Sequence, residues 1–223
     1  MAWSFLSRRG TNAAATRRIT SPMLRLIGQA TSINVRKVLW TCAEIGIPVA
    51  REDRGEEAAL RALNPNGLVP VIEDEEGVLW ESNTICRYLA AKHGRADLLP
   101  VAPRARAQVE RWMDWQATDL NASWRGAFMG LVRRHPDHAD AGRIAASARA
   151  WNELTKILDG QLARTGAYVA GDTFTLADIV IGLSVNRWMM TPIERPDLPA
   201  VAAYVARLMA RPGFRAHGAN GVA

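Results

Sequence analysis

The stretch from Asn64 to Ser82, Asn-Pro-Asn-Gly-Leu-Val-Pro-Val-Ile-Glu-Asp-Glu-Glu-Gly-Val-Leu-Trp-Glu-Ser, constrains the fold more than any other in this chain. Its first four residues are dense turn chemistry. Val69-Pro70-Val71-Ile72 then reads as a strand entered through a proline. Proline has no N–H to give to a ladder, so its place is the start of a strand. The Val69–Pro70 bond is the chain's candidate for a cis peptide, because a tertiary amide cuts the trans preference to about 0.5–1 kcal/mol. Asp74-Glu75-Glu76-Gly77 reads as a hairpin turn into Val78-Leu79-Trp80. Glu81-Ser82 closes that strand and opens a helix. The first N–H groups of that helix lack intrahelical partners, which suits them to a carboxylate.

The segments upstream fit the same plan. Met23 to Gln29 reads as a first strand, and Ala30 to Asn34 as a loop running into a helix. Val35, Val38, Leu39 and Cys42 repeat at i, i+3, i+4 and i+7, the buried face of that helix. Gly46 stops it and Pro48 follows. Val49 to Asp53 reads as a second strand and Glu56 to Leu63 as a short helix. Downstream, Ser82 to His93 is a third helix with Ile85, Cys86, Leu89 and Ala90 inward. The order is strand, helix, strand, helix, strand, hairpin strand, helix: an α/β, thioredoxin-like half whose parallel crossover should be right-handed.

Strand signals then vanish. Residues 95–103 read as a linker between a first domain at 23–94 and an all-helical domain at 104–215, with 216–223 as a tail. Arg104 to Arg134 reads as one long helix and Ala139 to Arg164 as another. Phe174-Thr175-Leu176-Ala177-Asp178-Ile179 has the spacing of a capping box with a hydrophobic staple, a folding device rather than a chemical one. Leu198 to Met209 is the last helix, ended by Arg211-Pro212-Gly213-Phe214.

Charge and composition exclude several roles. The net charge is +6, but four of the 28 basic residues and none of the 22 acids lie in the first 22 residues, leaving +2 for the rest. Those residues, 1–22, read as a disordered leader or one that precedes a native start at Met23. The body has no basic helix with interleaved aromatics, so no nucleic-acid partner is expected. No apolar run has membrane length, so no membrane partner is expected either. Cys42 and Cys86 fall on apolar helical faces and read as reduced core thiols. His135-x-x-His138 lacks a third ligand of defined geometry, so no metal is expected there.

Asn-Pro-x-Gly-x-Val-Pro, a short hairpin, and Glu-Ser-x-x-Ile-x-x-Tyr-Leu together resemble the glutathione-binding half of the cytosolic glutathione transferases. Ser-x-Asn-Val-Arg-Lys at Ser32 to Lys37 is most similar to the phi- and theta-like serine enzymes and their bacterial relatives. The resemblance spans Met23 to about Phe214. It implies a thioredoxin-like domain followed by an all-α domain, a homodimer, and a cytoplasmic enzyme of detoxification. It implies no cofactor, since glutathione is the co-substrate, and a small hydrophobic electrophile as the second substrate.

The resemblance also assigns residues. Val69 would pair its backbone with the cysteinyl part of glutathione, shaped by Pro70. Glu81 and Ser82 would hold the γ-glutamyl end. Ser32 matches the family's catalytic serine, while Asn34 matches the asparagine of the nu-like disulfide reductases and peroxidases. No cysteine stands at this place, against the cysteine-based classes. Arg54 could pair with the glycyl carboxylate. Trp115, Trp124 and Phe128 are candidates to line the electrophile pocket. Two departures keep a non-catalytic binding or scaffold protein as the alternative: Leu68 stands where relatives carry Gln or Lys, and the 54–57 loop is short.

Overall fold

The computed structural model describes residues 23–223, so the expectation for residues 1–22 lies outside the described part. The N-terminal half is a four-stranded sheet with helices. β1 (Leu24–Ile27), α1 (Ile33–Ile45), β2 (Val49–Glu52), α2 (Glu57–Leu63), β3 (Val71–Asp74), β4 (Gly77–Trp80) and α3 (Ser82–Lys92) follow in order. The sheet order is β2-β1-β3-β4. β1 runs parallel to β2, and β3 lies antiparallel to both β1 and β4. α1 begins at Ser32, whose backbone is extended, and ends at Gly46, whose φ of 84° lets its N–H reach Cys42 O.

The second half is helical: α4 (Pro103–Trp115), α5 (Asn121–Leu131), α6 (Ala141–Thr165), α7 (Leu176–Met190), α8 (Pro199–Met209) and α9 (Pro212–His217). α7 is its axis, with every residue from Leu176 to Trp188 buried. Such all-round burial defines a helix surrounded by others rather than one with a solvent face. Asp178 anchors its start: the carboxylate accepts from Thr175 N–H at 2.8 Å, Val169 N–H at 2.9 Å and Tyr204 Oη at 3.1 Å. One apolar core runs through both halves, from Leu26, Val35 and Ile72 to Trp151, Leu183 and Tyr204. Trp40 of α1 bridges them, with its ring 5.8 Å from that of Phe174 and 5.2 Å from that of Phe214.

The long helix expected over Arg104 to Arg134 is interrupted. Residues Gln116–Leu120 form a π-turn between α4 and α5. The extra residue re-registers the buried face, so that Met113, Gln116, Leu120 and Trp124 all point inward. The chain also makes a further helix, α9, where the sequence suggested only a stop. Residues 220–223 are not loose: Arg36 donates to Val222 O at 2.7 Å and to Ala223 O at 3.0 Å. Cys42 and Cys86 are buried and unbridged, and burial pushes their thiols up to about 12 and about 11. Among the described residues no helix is long and apolar enough to cross a membrane.

Candidate active site

The strand register gathers three chain segments at one end of the sheet. Ile27 stands opposite Val71, and Val71 opposite Trp80. The exit of β1 towards Ser32, the entry of β3 through Val69 and Pro70, and the exit of β4 into Glu81 and Ser82 are therefore neighbours. The Val69–Pro70 peptide is cis. Neither Val69 N–H nor its carbonyl has a backbone partner among the described residues, so both can pair with a peptide-like ligand. Asn64 rigidifies the approach: its Nδ2 donates to Leu68 O at 2.8 Å and its Oδ1 accepts from Asn66 N–H at 3.1 Å. Gly28 is obligatory here. It has φ +146°, and a Cβ on it would come within 2.5 Å of Val35 Cγ2 and 3.0 Å of Val69 Cβ.

Glu81 precedes α3 with φ 74°, a left-handed backbone at a non-glycine residue. Such a conformation costs about 1–3 kcal/mol and persists where its surroundings over-determine it. Its side chain makes no cap to α3, which leaves the first N–H groups of that helix open. Ser82, the first residue of α3, is buried. Ser32 is half-buried and also makes no side-chain cap to its helix, so its hydroxyl is not consumed locally. Asn34 lies within the first turn of α1 and is exposed.

The other sequence candidates spread out. Arg54 is an exposed residue of the loop after β2, and its guanidinium lies 3.7 Å from the Glu57 carboxylate. Leu68 points outward at 63% exposure. Trp124 and Phe128 of α5 pack edge to face, with ring centroids 5.3 Å apart. Trp115 does not join them. It packs edge-on against Trp112 and lines a separate cavity of about 290 Å³ with Ile157, Gln161 and Arg164 of α6. The rings of His135 and His138 lie 5.7 Å apart, and no cluster of three metal-ligating side chains occurs among the described residues.

Sequence reasoning missed three buried cations. Lys37 Nζ donates to Gln116 Oε1 at 2.7 Å and to Asn83 Oδ1 at 3.1 Å. Burial lowers Lys37 to about 8, partly offset by the nearby Cys86 and Glu81. The π-turn thus serves to bring an amide oxygen to a buried ammonium. Arg36 follows one turn after Ser32, its N–H bonded to Ser32 O at 3.0 Å. Arg187 lies against Trp124 and Phe128. For Arg187 the available signal was a lone basic residue inside Leu176–Met190, a mostly apolar helix with a single acid in its first turn.

A thioredoxin-like sheet with a cis-proline entry, an open helix start beside it and a helical second half define the two-part architecture of this chain. Comparison with known proteins agrees. The glutathione S-transferase N-terminal domain family matches residues 31–92, and the corresponding C-terminal domain family matches residues 125–212. The glutathione S-transferase GstB of Escherichia coli is 37% identical over 201 residues, covering 86% of this chain and 96% of that one. The glutathione S-transferase 3 of Zea mays is 32% identical over 207 residues, covering 86% and 91%. The crystal structure of the theta class glutathione S-transferase from Xanthomonas axonopodis pv. citri with glutathione bound superposes with a TM-score of 0.81. It is 40% identical and covers 88% of this chain and 97% of that one. The chain belongs to the glutathione S-transferase family.

Proposed function

We propose that this transferase joins the sulfur of glutathione to a small electrophile through the groups at the sheet end. Glutathione loses its thiol proton to solvent. The thiolate attacks the electrophilic carbon, a carbon–sulfur bond forms, and the leaving group departs with its electron pair. Val69 pairs its free backbone with the cysteinyl unit beside Pro70. Glu81 and Ser82, at the open start of α3, hold the γ-glutamyl group. The electrophile lies against Trp124 and Phe128. In the same proposal the enzyme is a cytoplasmic homodimer and needs no cofactor, as the family resemblance implies.

The observation that carries this reading is the Ser32 hydroxyl, half-buried at the start of α1 and unbonded to its own helix. A free thiol has a pKa of about 8.5. Lowering it by about 2 units requires about 2.7 kcal/mol of preference for the thiolate. A hydrogen bond to a charged group supplies roughly 1.5–3 kcal/mol, and a helix N-terminus adds about 0.3–1 kcal/mol. One hydroxyl at this helix start therefore suffices. The test is a pH titration of thiolate absorbance in the glutathione complex. Ser32→Ala should raise the bound thiol pKa by about one to two units, and Asn34→Ala should leave it in place. A shift confined to Asn34→Ala would transfer the role to Asn34 and favour disulfide reduction. Failure of glutathione to bind at all would point to a scaffold.

A further inference from the structure

The aromatic layer of α5 holds a charge that the thiol chemistry does not use. The Arg187 guanidinium lies 4.1 Å from the Phe128 ring centroid and 4.5 Å from that of Trp124. The residue is 3% exposed, and its Nε is buried without a hydrogen-bond partner. Stacking on two rings offsets part of the cost of burying the cation. It satisfies only the faces of a planar group whose donors point outward along its edge.

The usual remedy, an acidic side chain on that edge, does not occur among the described residues. Among the described residues no Asp or Glu pairs with Arg187, Arg36 or Arg133, and residues 1–22 contain neither acid. The neighbours are cations instead. Arg133 lies 5.5 Å from the Phe128 ring centroid. Burial first, then the fields of Arg36 and Arg133, lowers Arg187 to about 9. Arg36 has found acceptors in the oxygens of Val222 and Ala223, with Asn186 Nδ2 also donating to Val222 O at 3.0 Å. Arg187 has not. A guanidinium with its Nε buried and unpartnered, in a field of like charge, suits an anion, and its fork matches a carboxylate in two parallel hydrogen bonds.

The place matters as much as the charge. Arg36 is one turn from Ser32, and Arg187 stacks on the two rings assigned to the electrophile. We propose that the electrophile of this enzyme carries a carboxylate, received edge-on by Arg187 against Trp124 and Phe128, with Arg133 as a second cation. The proposal rests on the transferase reading above and names its substrate class. The carboxylate takes no covalent part. Sulfur bonds to the carbon bearing the leaving group, which departs as halide, and the thiol proton passes to solvent.

The test uses two conjugates of glutathione, made from 4-chloro-3,5-dinitrobenzoate and from its carboxamide, which differ in charge at one group. Their affinities, and that of glutathione, are measured by calorimetry on the full chain. The carboxylate conjugate should bind at least about tenfold more tightly than the carboxamide. Arg187→Met should reduce that preference to within about twofold and leave glutathione affinity unchanged. Arg187→Lys should keep part of it, and Arg133→Gln, at an exposed residue, should weaken it by a smaller factor. Equal affinity of the wild type for both conjugates overturns the proposal, as does a preference that survives Arg187→Met. Should Arg187→Met fail to fold, a preference unchanged by both Arg133→Gln and added salt overturns it instead. A wild type that binds conjugates by charge but not glutathione supports the anion site and removes the transferase reading. One that binds none of the three removes both.

Discussion

In the proposed reading the sheet end and the aromatic–arginine layer each hold one substrate, by opposite means. The sheet end is built from backbone. Val69 offers a free peptide unit, Glu81 a positive φ, and Gly28 a gap that no side chain could occupy. Its parts come from segments whose register the ladder forces together. The layer is built from side chains. Trp124 and Phe128 come from α5 and Arg187 from α7, with Arg36 of α1 close by. A backbone site tolerates little beyond one ligand shape. A side-chain site can change its ligand by changing one residue, which is why the proposal puts the constant substrate at the first and the variable one at the second.

The largest expected effect tests whether the helical frame is separable from the thiol chemistry. Asp178→Ala leaves Val169 N–H, Thr175 N–H and Tyr204 Oη buried without their acceptor. It should cost about 3 kcal/mol or more and lower the melting temperature, while the thiol pKa in the folded complex stays put. An unchanged melting temperature would remove the box from the folding account. The next effect is its pH signature. Burial pushes the Asp178 carboxyl up to about 6 despite its hydrogen bonds. The folded state then holds this proton more tightly than the unfolded chain, whose carboxyl titrates near 3.9. Stability from this group is greatest below about pH 4 and falls by about 3 kcal/mol as pH rises through 6. Asp178→Asn should flatten that part of the stability curve, and an identical slope in both proteins would reject the assignment.

Smaller effects probe the sheet end. Ser82→Ala removes one charge-assisted hydrogen bond and should weaken glutathione about tenfold with the fold intact. Equal calorimetric affinities would detach Ser82 from the γ-glutamyl group. The smallest change is expected at Arg54, already beside Glu57 and exposed. Arg54→Ala should alter glutathione affinity by about twofold at most, and a tenfold loss would extend the backbone-built site to a charged side chain.

The two regions were not equally legible. The turn at Asn64–Gly67, the proline-led strand, the hairpin and the helix opening at Glu81–Ser82 lie within 19 consecutive residues, and each is written in local chemistry. The cis bond was a candidate from that stretch alone, and the hairpin pairing of β3 with β4 is read from its turn. The helical half yielded its capping box and its helix ends, but not its interior. Trp115, Trp124 and Phe128 look alike as aromatics on one long helical run, yet with the π-turn at Gln116–Leu120 between them the first lines a cavity with Ile157 and Gln161, while the other two carry the guanidinium of Arg187.

Sequence alone determined what depends on near neighbours: the period of each segment, the caps, the proline entry and the glycine stops, because turn sterics and capping bonds act within a few residues. Tertiary structure decided where the charges went. Lys37, Arg36 and Arg187 look like ordinary basic residues in the chain, and each became a buried cation only through partners supplied from elsewhere: Gln116 and Asn83, the oxygens of 222 and 223, and the rings of α5. Desolvation depends on every group packed around a charge, and most of those groups are far away in sequence.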